Sequence, residues 1–134
     1  MSEINLLLTK AGAAVQNAYV PNSNFSVGAC IKTLQGHYYT GCNVENACYN
    51  LGLCAESSAI AAMVTAGERQ ISEIMIISSG EDYCYPCGAC RQRLLEFALP
   101  HLKIHCATAQ GAYKTFGIEE LLPHSFNNSH LPSA

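Results

Sequence analysis

The sequence predicts an α/β fold, a mixed sheet covered by helices, and three observations lead there. Ile74-Met75-Ile76-Ile77 is a continuous apolar run of the length expected for a strand buried on both faces. After it, segments of helical composition alternate with short strand-like segments, which implies a right-handed parallel crossover. Before it, two segments rich in β-branched and aromatic residues flank a short glycine-containing turn, the pattern of an antiparallel hairpin. Parallel and antiparallel pairings in one chain make the sheet mixed.

Ile4 to Ala18 carries apolar residues at Ile4, Leu7, Leu8, Ala11, Ala14, Val15 and Ala18, close to the helical period, and predicts an amphipathic opening helix. Pro21-Asn22-Ser23-Asn24 breaks it. Val27 to Thr33 and His37 to Val44 are the hairpin strands around Leu34-Gln35-Gly36, and Ala47 to Gly52 reads as a loop. Cys54 to Ala66 returns to helix-forming composition, with Ile60, Met63 and Val64 to pack inward and Gly67 as a stop. Glu73 to Ser79 is the buried strand. Cys87 to Leu99 is the next helix, burying Leu94, Leu95 and Phe97 and ending before Pro100. Lys103 to Thr108 reads as a strand, Gln110-Gly111 as a turn, Tyr113 to Phe116 as a fifth strand and Ile118 to Leu122 as a short helix. There are no internal repeats, low-complexity tracts or linkers.

At 134 residues, 49% hydrophobic and 13% charged, residues 1–134 make a single domain with ample material for a core. The low charged fraction also leaves apolar area to be covered in an oligomer. A net charge of -3 without any run of lysine or arginine argues against nucleic acid as a partner. Met1 to Lys10 lacks the features of a signal peptide, and no stretch approaches transmembrane length, so no membrane partner and a cytoplasmic location are expected. The chain has eight cysteines. In a reducing compartment, thiols at C-x-x-C spacing are metal ligands or redox groups more often than disulfides.

Two short stretches carry the chemistry: Cys54-Ala55-Glu56 and Pro86-Cys87-Gly88-Ala89-Cys90. Both sit where a helix begins, where free N–H groups and the helix dipole stabilise a thiolate. Three cysteines with a nearby carboxylate describe a catalytic zinc site, which keeps three protein ligands and leaves a fourth position for water. A thioredoxin-like exchange pair leaves Cys54 and Glu56 unexplained. Cys84-x-x-Cys87-x-x-Cys90 offers two overlapping pairs. Cys87 and Cys90 are preferred, because Pro86 fixes the approach and Gly88 permits close backbone turning. Cys30, Cys42, Cys48 and Cys106 read as core packing, and His37, His101, His105, His124 and His130 as surface residues.

On these motifs the chain resembles the small, cysteine-liganded cytidine deaminases. The matching residues are Asn24-Phe25-Ser26-Val27-Gly28, Gly41-Cys42-Asn43-Val44-Glu45-Asn46-Ala47-Cys48-Tyr49, Cys54-Ala55-Glu56, Pro86-Cys87-Gly88-Ala89-Cys90-Arg91-Gln92 and Glu119-Glu120-Leu121-Leu122-Pro123. They occur in family order along nearly the whole chain. The resemblance implies a three-layer fold, a mixed five-stranded sheet with helices on both faces. It implies zinc on Cys54, Cys87 and Cys90, with Glu56 as the catalytic proton carrier in the hydrolysis of cytidine and deoxycytidine. It also implies that Asn43 and Glu45 hold the ribose hydroxyls, Phe25 lies against the pyrimidine and the backbone of Ala55 touches the base. Tyr49 and Phe126 match residues that complete the site across subunits of a homotetramer.

The family usually carries arginine directly after the glutamate, whereas Ser57 stands here. Three thiolates on a divalent ion leave a net negative site, and Arg91 and the helix dipoles are the offsets the sequence offers. Asn22 and Ser26 also depart from the usual residues near Phe25. Two other readings fit the same cysteines: a deaminase of a modified cytosine nucleoside of the blasticidin type, and a non-catalytic zinc-binding relative. Asn43 and Glu45 favour an unmodified ribose, and Glu56 favours catalysis.

Overall fold

The computed structural model describes residues 1–132. Five strands form one sheet in the order β2-β1-β3-β4-β5. Helix α1 (Glu3–Val15) precedes the antiparallel hairpin of β1 (Val27–Thr33) and β2 (Tyr38–Cys42). Helix α2 (Ala55–Thr65) leads to β3 (Ile71–Ser78), which pairs antiparallel with β1. Helix α3 (Gly88–Phe97) then crosses to β4 (Ala98–Ala107), parallel to β3, and β5 (Tyr113–Phe116) closes the edge antiparallel to β4 before α4 (Ile118–Leu121). The mixed five-stranded sheet between helices is the architecture the sequence predicts.

Strand alternation builds the three layers, because successive side chains leave a strand on opposite faces. Ala29, Ile31, Ile74, Ile76, Ile104 and Cys106 face α2 and α3, where they pack with Ala59, Ile60, Met63 and Leu94. Cys30, Met75, Ile77 and Ala107 face the opposite way and pack beneath Leu7 and Ala11 of α1. Each fully buried isoleucine or leucine contributes about 1.5–3 kcal/mol. Two glycines set how near the helices come. A Cβ on Gly28 would lie 2.2 Å from the Ala11 carbonyl oxygen, and one on Gly41 would lie 2.4 Å from the Ala59 nitrogen. The second contact seats α2, and with it Cys54, directly on β2.

Several boundaries differ from the sequence expectation. Helix α1 stops at Val15, so Ala18 lies outside it. Strand β3 starts at Ile71 and β4 at Ala98, so Leu99 and Pro100 lie in a strand. Proline disfavours helical backbone at the residue before it, which stops α3 early. The register of β3 against β4 shifts in that stretch, which accommodates a residue that cannot donate to a ladder. Within the expected loop, Tyr49–Leu51 forms a single 3-10 turn.

Two groups of side chains are placed differently from expectation. His105 is 3% exposed, not a surface residue. It lies on β4 with its Nδ1 2.7 Å from Thr115 Oγ1 and its Nε2 3.4 Å from Glu73 Oε2. The same alternation that points Ile104 and Cys106 one way points His105 and Ala107 the other. Cys48 is exposed rather than core, because the chain has left the sheet at Cys42; its Sγ donates to Asn50 Oδ1 at 2.9 Å. Cys30 and Cys106 are buried as expected, Cys42 is half-buried, and His37, His101, His124 and His130 are exposed. No helix among the described residues is long and apolar enough to cross a membrane.

Candidate metal centre and substrate site

The centre forms where two helices begin side by side. Cys54 is the residue before α2 and Cys87 the residue before α3, both in extended conformation. Cys90 lies in the first turn of α3 and is buried. The three sulfurs lie within 4.8 Å of one another, and the Cys54 and Cys87 sulfurs are 3.7 Å apart. Two thiolates on one tetrahedral zinc, each at about 2.3 Å, stand about 3.8 Å apart, so the cluster fits that ion. Cys84, the alternative ligand, is outside the cluster.

The cluster distributes protons unevenly. A hydrogen bond from Cys90 holds the Cys54 thiol below its ordinary value, against the effect of burial. The same bond, with burial and the Glu56 charge, pushes Cys90 up. Burial also pushes Cys84, up to about 11, which keeps it a neutral thiol. Glu56 follows Cys54 by two residues and is 4% exposed. Desolvation raises its carboxyl above the usual range.

A cavity of about 190 Å³ opens over this centre, lined by Phe25, Val27, Asn43, Cys54, Ala55, Glu56, Cys84, Tyr85 and Cys87. Asn43 organises its wall: Oδ1 accepts from the Val27 N–H at 2.9 Å, and Nδ2 donates to the Phe25 carbonyl at 2.8 Å. Asn24, before Phe25, takes the left-handed φ of 54° that asparagine tolerates better than most residues. A second cavity of about 250 Å³ is lined by Asn22, Ser23, Glu45, Asn46, Tyr49 and Gly52. Glu45 accepts from the N–H groups of Asn22 and Ser23 at 2.9 and 3.0 Å and from the Ser23 hydroxyl, and that hydroxyl holds its carboxyl below the usual range.

The structure therefore brings Cys54, Cys87, Cys90, Glu56, Ala55, Phe25 and Asn43 together and sets Glu45 and Tyr49 in the neighbouring cavity. Phe126 lines neither. Its carbonyl accepts from Gln92 Nε2 at 2.7 Å, and its ring stacks on His130 at 5.3 Å. Val27 and Tyr85 line the first cavity without having been expected as site residues, and Cys84, set aside as a ligand, lines it too; only the fold aims them inward. Arg91 does not serve the thiols as the sequence had offered. Its Nε donates to the Pro86 carbonyl and its Nη1 to the Leu121 carbonyl, both at 2.9 Å, so it braces the start of α3 against α4.

Comparisons with known proteins agree with this geometry. The family model described as the cytidine and deoxycytidylate deaminase zinc-binding region matches residues 1–106. Cytidine deaminase of Mycoplasma genitalium is 42% identical over 116 residues, 86% of this chain and 88% of that one. Cytidine deaminase of Sporosarcina psychrophila is 33% identical over 132 residues, 98% of this chain and 97% of that one. The crystal structure of cytidine deaminase from Burkholderia pseudomallei superimposes with a TM-score of 0.88 at 38% identity, covering 94% of this chain and all of its own. Matches that run through both cysteine stretches, and a fold that superimposes nearly end to end, make this chain a member of the cytidine and deoxycytidylate deaminase family of zinc enzymes.

Proposed function

We propose that the protein hydrolyses cytidine and deoxycytidine to uridine and deoxyuridine with release of ammonia, as a zinc-dependent aminohydrolase of pyrimidine salvage. The observation that carries this reading is the buried Glu56, which lines one cavity with Phe25 and with two of the three clustered sulfurs. Cys54, Cys87 and Cys90 would hold the zinc, which would supply electrophilic charge and lower the pKa of a water.

Glu56 takes a proton from the attacking water and delivers it to N3 of the pyrimidine, which makes C4 electrophilic. The water oxygen bonds to C4. Glu56 then takes the remaining hydroxyl proton and passes it to the amino nitrogen. The C4–N bond breaks, C4 becomes the carbonyl of uracil, and ammonia leaves. Phe25 lies against the base and the Ala55 backbone bounds it. Asn43 Oδ1 keeps one lone pair free beyond its bond to Val27, and with the Glu45 carboxylate it accepts from the ribose hydroxyls. Among the described residues no lysine or arginine lines either cavity, which favours a nucleoside over a nucleotide.

The site is completed in a homotetramer, with Tyr49 and Phe126 acting at neighbouring copies. Their exposure in the single chain, 78% and 59%, supports that assembly. The reduced thiols suit the cytoplasm. Ultraviolet absorbance of cytidine, deoxycytidine and deoxycytidylate, each incubated with zinc-loaded protein, tests the reading. Conversion of the first two and not the third is expected. Conversion of deoxycytidylate alone, or of none of them, would overturn it, and turnover of only a modified cytosine nucleoside would transfer the same chemistry to that substrate.

A further inference from the structure

Three thiolates and a buried carboxylate at one centre require something to hold the negative charge in place. Among the described residues no lysine or arginine donates a hydrogen bond to Cys54, Cys87 or Cys90, and Arg91 is committed to the Pro86 and Leu121 carbonyls. A hydroxyl does reach a ligand. Ser57 Oγ lies 3.6 Å from Cys90 Sγ, across from α2 to α3, and this is its one hydrogen bond among the described residues. A metal-bound thiolate can only accept, so in the zinc form the hydroxyl is the donor. Ser57 stands one residue past Glu56, and its hydroxyl offers a dipole without a charge.

We propose that Ser57 is a positioning residue for the metal centre, its hydroxyl fixing and polarising the Cys90 thiolate in place of a cation. The hydrogen bond draws electron density from the sulfur, which restores part of the acidity that three thiolates remove from the ion. It also ties the first turn of α2 to the first turn of α3, so the sulfur contributed by α3 keeps its distance from the one contributed by α2. This inference rests on the assignment of Cys90 as a zinc ligand.

The test uses full-length protein as wild type, Ser57→Ala, Ser57→Thr and Cys90→Ser. Zinc dissociation is followed by chelator competition, and the thiolate-to-metal charge-transfer band is recorded after cobalt substitution. Zinc release about tenfold faster in Ser57→Ala, with a displaced cobalt band, is expected, and Ser57→Thr should restore both because it keeps the hydroxyl. A wild-type band and release rate in Ser57→Ala would overturn the proposal, even if that variant melted earlier. So would a Ser57→Thr variant that behaves like Ser57→Ala. Cys90→Ser separates the two readings: retention of one zinc per chain there would sink the ligand assignment itself, whereas loss of zinc there beside an unaltered Ser57→Ala sinks only the role of Ser57.

Discussion

The metal centre and the substrate rim are built in opposite ways. Cys90 and Glu56 are buried, and Cys54 and Cys87 are fixed by the starts of two helices packed on one sheet. Phe25, Tyr49 and Tyr85, the aromatic groups lining the two cavities, are exposed, as is Phe126, which is proposed to act at a neighbouring copy. The chain thus finishes the part proposed to perform proton transfer, where an error of a fraction of an ångström is costly, and leaves exposed the part proposed to grip the substrate. A centre made of local helix starts needs only its own core, whereas under the proposed function the rim needs further surface to enclose a base.

The largest effect should come from breaking the finished half. Cys87→Ser removes a ligand from the cluster and should abolish both zinc binding and turnover, measured as metal per chain and product formed. Cys84→Ser, in the same cavity but outside the sulfur cluster, should leave zinc content unchanged. Equal zinc loss in the two variants would erase the distinction between ligand and wall.

The open half should respond differently. Tyr49→Ala and Phe126→Ala should keep zinc while each lowers kcat/KM about tenfold, on the order of 1.4 kcal/mol, by removing an aromatic contact. Sedimentation of wild-type protein should show a tetramer. A fully active monomer would mean that the rim is complete without neighbours.

Between the two halves lies the packing that positions α2. Gly41→Ala would place a methyl group 2.5 Å from the Ala55 carbonyl oxygen and should destabilise the fold by about 1–3 kcal/mol in denaturant. A variant as stable as the wild type would show that α2 rides on β2 less tightly than the contact implies.

The smallest effect concerns His105, remote from the site residues in the sheet. Burial holds its imidazole below the ordinary value, against the pull of Glu73. The folded state therefore binds its proton less readily than the unfolded chain, whose histidine titrates near about 6.5. Stability from this group is whole above that pH and is lost as pH falls through it towards the folded value. Melting temperature between pH 7 and 5 should fall more steeply for wild type than for His105→Gln. Parallel curves would show that His105 carries no such penalty.

Much of the centre was legible because its signals are local. Cys54 and Glu56, or Cys87 and Cys90, are two and three residues apart at a helix start, and Ile74–Ile77 announces a doubly covered strand from composition alone. What escaped depends on partners far along the chain. Asn22 and Ser23 hold Glu45 from more than twenty positions away, and Ser57 meets Cys90 across 33. Nothing in a linear pattern marks such pairs. His105 was misplaced because a polar residue in a short strand gives no sign of which face is covered, and Arg91 because a cation next to Cys90 in sequence turned out to point along the helix start towards carbonyls.

In the proposed function, Glu56 moves protons at a metal centre it does not itself hold. The most direct measurement is zinc content and cytidine turnover on the same preparation of Glu56→Ala. One zinc per chain with turnover reduced at least 10³-fold, on the order expected for loss of a general acid and base, is the predicted result. Turnover within tenfold of wild type at full zinc occupancy would contradict it.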